Sequence, residues 1–365
     1  MASSWLAFVL PLLCLGMVPI SDAARAFFVF GDSLVDNGNN NYLVTAARAD
    51  SPPYGIDTPD HRATGRFSNG KNLPDIISEH LGSEPLLPYL SPELDSDKML
   101  VGANFASAGV GILNDTGIQF ANIIHISKQL VYFAQYQKRL SSLIGAEQTA
   151  RLVNGALVLI TLGGNDFVNN YYLVPTPLAP ENSRCRTTSP TSCPNPHTPL
   201  RPWRSPRAGA GRGPIGCVPA ELALHSLDGS CDRELQRAAE MYNPRLLSML
   251  HEMNAQFGGD VFVGVNTQRI HNDFIEDPKA YGFATATEAC CGQGRFNGMG
   301  LCTMVSQLCN DRDAYVFWDA FHPTERANRL IVQQFMSGSI DVISPMNLST
   351  VLAVDHIRSQ QQMRT

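Results

Sequence analysis

Phe27-Phe28-Val29-Phe30-Gly31-Asp32-Ser33-Leu34 is the stretch whose reading decides the fold. Four apolar residues in a row, closed by glycine, read as a short strand covered on both faces. Aspartate and serine then sit on a turn of small and polar residues, so the serine hydroxyl is held at a strand end where a ligand can meet it. The polar run Val35-Asp36-Asn37-Gly38-Asn39-Asn40-Asn41 continues from there. At the far end stands Asp319-Ala320-Phe321-His322, the only Asp-x-x-His of the sequence although it has nine histidines. A nucleophile near the start and an acid/base pair near the end form a layout that only folding assembles.

Outward from that first strand, strands and helices alternate. Asn72–Leu81 reads as a short helix and Met99–Phe105 as a strand entering the turn Ala106-Ser107-Ala108-Gly109-Val110-Gly111. In residues 124–144, Ile126, Leu130, Phe133 and Tyr136 share one helical face. Ala156–Thr161 is apolar throughout, as a doubly covered strand requires. A helix over Asp232–Phe257, strands at Val261–Val265 and Tyr315–Trp318, and a helix from Pro323 to about Phe335 complete the pattern. Proline in the first turn of that last helix suits a position whose N–H would be unpaired anyway. The order predicts a mostly parallel sheet flanked by helices.

Composition bounds the function. With 365 residues and 44% hydrophobic content, the chain can bury a large core in one α/β domain, or at most two. A net charge of −6 without a basic cluster beside aromatics argues against nucleic acid as a partner. Trp5–Ile20 is apolar and is followed by small residues, which suits a signal peptide over 1–24 cleaved near Ala24. No second run is long enough to span a bilayer, so the expectation is a secreted protein without integral membrane association. A single globular domain is expected over 25–345 and a C-terminal tail over 346–365. Of nine cysteines, Cys14 leaves with the signal, while Cys290, Cys291, Cys302 and Cys309 cluster and Cys217 and Cys231 bracket a loop. Disulfides are expected among these six, in any of 15 pairings. No C-x-x-C spacing supports zinc, so no metal is expected. Asn114-Asp115-Thr116 and Asn347-Leu348-Ser349 are N-glycosylation acceptors in a secreted chain.

The chemistry gathers at the C-terminal ends of the strands, where open α/β sheets place their sites. Ser33 ends the first strand, Gly109 follows the second, Gly163-Gly164-Asn165-Asp166 ends the third, and Asp319 and His322 follow the last. A serine hydroxyl needs a base to take its proton, and imidazole suits neutral pH. The three-residue spacing lets Asp319 reach one ring nitrogen of His322 while the other faces Ser33. Asn165 and the backbone N–H groups of Gly109 and Ser33 are candidate donors to a tetrahedral oxyanion. No G-x-S-x-G elbow points to the α/β-hydrolase fold instead.

In these blocks the chain resembles the plant GDSL esterase/lipase family, a branch of the SGNH hydrolases. The resemblance lies in Phe30–Asn40, Gly102–Gly109, Gly163–Asp166 and Val316–Thr324, with Gly213–Pro219 and Cys290-Cys291-Gly292 beside them. It covers about Ala26 to Ser344. It implies a three-layer α/β/α sandwich with a flavodoxin-like sheet, and hydrolysis of carboxylic esters without a cofactor. It implies Ser33 as nucleophile, Gly109 and Asn165 in the oxyanion hole, and His322 as base oriented by Asp319. The substrate would be a small-molecule, lipid or polysaccharide ester, met outside the cell in the apoplast or cell wall.

One segment departs from that family. Pro175–Pro214 holds ten of the 24 prolines and six arginines, and residues 180–199 contain no Val, Ile, Leu, Met, Phe, Tyr or Trp. The family has a helix and an apolar strand here, and in a 2-1-3-4-5 order that strand is the fourth. Residues 178–212 are therefore expected to be irregular and the central strand missing, through a misplaced splice junction or shifted reading frame. Unpaired buried backbone groups cost roughly 1–3 kcal/mol each, enough to threaten a stability of about 5–15 kcal/mol. Two alternatives to hydrolysis stand beside it: acyl transfer from the same site, since an acyl-enzyme can be intercepted by acceptors other than water, or a non-catalytic, misfolded product because of this segment.

Overall fold

A computed structural model describes residues 25–172, 207–210 and 213–354. The expected signal peptide, Cys14, Cys185, Cys193, most of the proline-rich segment and the last eleven positions of the expected tail lie outside the described residues. The first strand, β1 (Phe27–Gly31), is buried at all five positions. Its side chains divide by parity, as a two-residue repeat demands. Phe27 and Val29 enter one core, and Phe28 and Phe30 the other.

The helices that form those cores are α1 (Leu73–His80), the single turn α2 (Lys98–Val101), α3 (Ile126–Ile144), α4 (Ala146–Gly155), α5 (Pro219–His225), α6 (Arg233–Phe257), α7 (Thr267–Glu276) and α8 (Glu325–Ser337). On one face, α1, α7 and α8 bring Leu73, Ile76, Phe274, Ile331 and Phe335 against Phe27 and Val29. On the other, Ile126, Phe133, Tyr136 and Leu140 of α3 cover Phe28 and Phe30, and α6 covers Phe262. Leu130 is half-buried against the same cluster, so the helical face read from the sequence is the buried one. The fold is an α/β/α sandwich, as expected.

The remaining strands are β2 (Gly102–Asn104), β3 (Leu157–Thr161), β4 (Arg207–Ala210), β5 (Phe262–Val265), β6 (Thr285–Ala289), β7 (Cys291–Gly292), β8 (Gln307–Leu308), β9 (Tyr315–Phe317) and β10 (Ile343–Ser344). The main sheet runs β10-β5-β4-β3-β1-β2. It is parallel except for β10, which adds an antiparallel edge on β5.

The missing central strand is a misreading. Arg207–Ala210 fills that slot, Val158–Thr161 pairing it on one side and Phe262–Val265 on the other. Ladder bonds come from backbone groups, so Arg-Ala-Gly-Ala serves where side-chain hydropathy shows nothing. Pro214 lies outside the four paired positions, where a missing N–H costs no ladder bond. Segment 178–212 is thus not wholly irregular, and β5 does not lack a neighbour.

Three other expectations change. Met99–Phe105 is not one strand, because α2 comes first and buries Met99 before the chain straightens at Gly102. The strand before Asp319 does not join the main sheet, since β9 pairs in parallel with β6 in a separate two-stranded sheet. Pro323 precedes the N-cap rather than occupying the first turn of α8, where Thr324 accepts the Ala327 N–H at 3.2 Å. Of the 15 pairings, the structure has Cys217–Cys231, Cys290–Cys309 and Cys291–Cys302. Residues 348–354 are helical, and Leu348 and Val351 pack into the larger core. Among the described residues no helix is long and apolar enough to cross a membrane, and no acidic, histidine and cysteine cluster has metal-binding geometry.

Candidate active site

Gly31 ends β1 with φ +144°, a conformation open to glycine, and turns the chain so that Asp32 is buried and Ser33 half-buried. The turn is held from α3. Gln129, fully buried, accepts the Gly31 N–H at 3.0 Å and donates to the Gly31 and Ile124 carbonyls at 2.9 and 3.0 Å. It acts as a side-chain neighbour strand for the last residue of β1.

The Ser33 Oγ lies 2.7 Å from His322 Nε2. On the far side of the ring, His322 Nδ1 meets Asp319 Oδ1 at 2.7 Å and Oδ2 at 2.9 Å. Asp319 also accepts the backbone N–H groups of Phe321 and His322, both at 2.9 Å, and the Tyr54 hydroxyl at 2.7 Å. Burial pushes the Asp319 carboxyl up, but the adjacent His322 and these donors outweigh it and hold the group below the usual carboxylate range. Burial, with the Asp319 charge adding to it, pushes the Tyr54 phenol well up, so it stays a donor. Phe67 lies against the His322 ring with centroids 4.8 Å apart.

Asp32, 4% exposed, behaves differently. Burial raises its carboxyl to about 7, against the opposing pull of the Leu34 N–H, the His322 charge and the Thr161 hydroxyl. Two aspartates within one site are therefore pushed in opposite directions, for reasons of environment alone.

Gly109 and Asn165 line the same cavity as Ser33 and His322. Gly109 has φ +86°, and a Cβ there would lie 2.5 Å from the Phe120 ring. The Asn165 Nδ2 donates to the Val110 carbonyl at 3.0 Å, while its Oδ1 accepts from Asn169 Nδ2 at 2.6 Å. The next residue, Asp166, clamps the loop after Gly109 by accepting the Ile112 and Leu113 N–H groups at 2.8 and 2.9 Å and the Thr116 hydroxyl at 2.8 Å. From the other side, Asp36 accepts the Ala108 N–H at 3.1 Å, and Asn40 binds the Ser107 hydroxyl and the Ala108 carbonyl.

All five residues singled out for chemistry are thus brought together, with Asp319 behind the ring. Asn114 is exposed on the loop clamped by Asp166, and Asn347 accepts the Thr350 N–H and hydroxyl at 3.0 and 2.9 Å. Neither lines the cavity. Tyr54, Gln129, Asp36, Asn40, Asp166 and Asn169 were not assigned a role from sequence. Gln129 carried a signal, being a polar residue on the apolar face of α3, three positions after Ile126 and four before Phe133.

The cavity has a volume of about 250 Å³, and Leu34, Phe67, Phe120, Leu162, Val168 and Phe321 give it mostly apolar walls. A parallel α/β/α sandwich with a hydrogen-bonded serine, histidine and aspartate at the C-terminal edge of its sheet is the architecture of the SGNH class of serine hydrolases. The chain belongs to the GDSL-like lipase/acylhydrolase family, whose model matches residues 27–335. It is 58% identical over 345 residues to GDSL esterase/lipase At4g28780 of Arabidopsis thaliana, covering 92% of each chain. It is 57% identical over 336 residues to GDSL esterase/lipase LTL1 of the same plant, covering 91% of this chain and 92% of that one. Its enzyme class is carboxylic ester hydrolase.

Proposed function

We propose that the chain is a secreted esterase that cleaves esters of apolar acids through an acyl-enzyme on Ser33. His322 takes the Ser33 proton as Oγ attacks the ester carbonyl, and Asp319 stabilises the imidazolium that forms. Negative charge on the former carbonyl oxygen is met by the Asn165 amide and the backbone N–H groups of Gly109 and Ser33. His322 then gives its proton to the leaving alcohol. Water enters, is deprotonated by the same ring and releases the acid. The observation that carries this reading is the 2.7 Å contact between Ser33 Oγ and His322 Nε2 across 289 positions of chain.

The apolar cavity supports an acyl group with few polar substituents. Three disulfides and the apolar N-terminal run support secretion into an oxidising compartment. The net charge of −6 speaks against nucleic acid. Purified protein and Ser33→Ala, assayed side by side with a p-nitrophenyl ester and a fluorescent organophosphonate, test the proposal. Hydrolysis and labelling by the parent alone are expected. Equal rates in the two proteins overturn it.

A further inference from the structure

An asparagine side chain has one end that donates and one that accepts, so its use as an oxyanion donor depends on which end faces the reacting atoms. Asn165 is pinned at both ends. Its Oδ1 accepts a hydrogen bond from Asn169 Nδ2 at 2.6 Å, and its Nδ2 donates one of its two N–H groups to the Val110 carbonyl at 3.0 Å. The second Nδ2 proton is left for the cavity that Asn165 lines. With the Asn169 amide as it stands, reversing Asn165 would set Nδ2 against the Asn169 NH₂ and Oδ1 against the Val110 oxygen, two repulsive contacts in place of two hydrogen bonds.

We propose that Asn169 is a positioning residue that fixes the polarity of the Asn165 amide, keeping its donor end toward the oxyanion. This rests on the reading of Asn165 as an oxyanion donor. Asn169 is itself held firmly: it is 7% exposed and lies in the π-helical turn Asp166–Tyr172. Phe167 and Val168 anchor that turn against Ile215 and Leu235. Asp166 and Asn170 tie it to the loop bearing Thr116. A π-turn at a functional site is a common way of aiming a side chain that an α-helix would direct elsewhere.

Asn169→Asp is the informative change, because it preserves shape and removes the donor. Its carboxylate would repel Asn165 Oδ1 and draw Nδ2 away from the oxyanion. The expected result is a kcat about 10²-fold lower, in the range for loss of one such donor, with KM within threefold. On acidification the introduced carboxyl gains a proton to donate, so the ratio of variant to parent kcat should climb as pH falls. Asp32, Asp115, Asp166 and His322 are common to both proteins, so the ratio reads the introduced carboxyl against the same surroundings. A merely structural asparagine would give a flat ratio.

Asn165→Ala separates the two readings. If it leaves kcat unchanged, the oxyanion reading fails and this inference with it. If it lowers kcat and Asn169→Asp in the Asn165→Ala background lowers it no further, the inference stands. If Asn165→Ala is slow while Asn169→Asp alone keeps parental kcat, or if the two losses multiply, Asn169 does not act through Asn165 and the inference is overturned. Should Asn169→Asp not fold, Asn169→Ala enters the same double-mutant comparison, with a loss of about tenfold expected.

Discussion

Tyr54 donates its phenolic proton to Asp319 Oδ2 across 2.7 Å, bridging 265 positions of sequence to reach the carboxylate behind the His322 ring. The phenol is 5% exposed and wedged edge-on against Phe67 and Trp318. It thereby fixes the oxygen of Asp319 that receives no backbone N–H, and with it the plane in which the carboxylate meets Nδ1. A hydrogen bond to a charged group contributes about 1.5–3 kcal/mol. Tyr54→Phe keeps the ring packing and removes that bond. The expected outcome is a kcat lowered about tenfold with KM within twofold. A parental kcat in steady-state assays would remove Tyr54 from the site.

Gln129 carries a second prediction through Gly31, the residue two positions upstream of the serine. Gln129→Leu matches the side chain in size but leaves the Gly31 N–H without its partner inside the core. An orphaned buried N–H costs roughly 1–3 kcal/mol, so urea unfolding should show a loss of about 2 kcal/mol. Because Gly31 carries the turn that aims Ser33, kcat should fall at least tenfold in the fraction that remains folded. Loss of stability with unchanged kcat would confine Gln129 to a structural role.

These two residues show where sequence ran out. The strand at Phe27–Gly31, the faces of α3 and the block Asp319–His322 are local patterns, and local patterns survive in one dimension. Ser33, Gly109, Asn165 and His322 were legible because each ends or follows a strand. Tyr54 is one of ten tyrosines with nothing in its neighbours to mark it, and its role exists only once the chain has folded. Disulfide pairing is likewise a matter of distance, which spacing does not encode. The central strand was lost for the opposite reason: Arg207–Ala210 pairs through backbone groups that composition does not report.

Gly109 should tolerate no side chain. Its φ of +86° lies in the left-handed region, and a Cβ would press on Phe120 at 2.5 and 3.1 Å. The conformational part alone costs about 1–3 kcal/mol. Relief by moving the loop would displace the Gly109 N–H, one of the proposed oxyanion donors. Gly109→Ala should therefore lower kcat roughly 10²-fold while the fold persists by circular dichroism. Parental kcat in that variant would exclude this loop from the oxyanion site.

Buried carboxyls set how stability responds to pH. Burial raises Asp32 to about 7, Asp36 to about 6 and Glu221, with Asp232 adding to it, to about 7. Each binds its proton more tightly folded than unfolded, so each contribution is complete at acid pH and is lost as pH rises from about 4 toward 7. The opposite sense holds for Glu79, drawn down to about 2 chiefly by Arg329, and for Asp319. Their contributions are present above pH 4 and are lost as pH falls. Thermal stability should therefore peak in mildly acid buffer and decline toward pH 8. Glu221 offers the clean test, since it is fully buried and neither carboxyl oxygen receives a hydrogen bond, although His225 Nε2 stands 3.4 Å from one of them. A rise from 4.5 to about 7 corresponds to about 3 kcal/mol at pH 8. Glu221→Gln cannot ionise, so its unfolding free energy should fall less between pH 5 and pH 8, by up to about that amount. Parallel stability profiles for the two proteins would mean that Glu221 is already paired or hydrated.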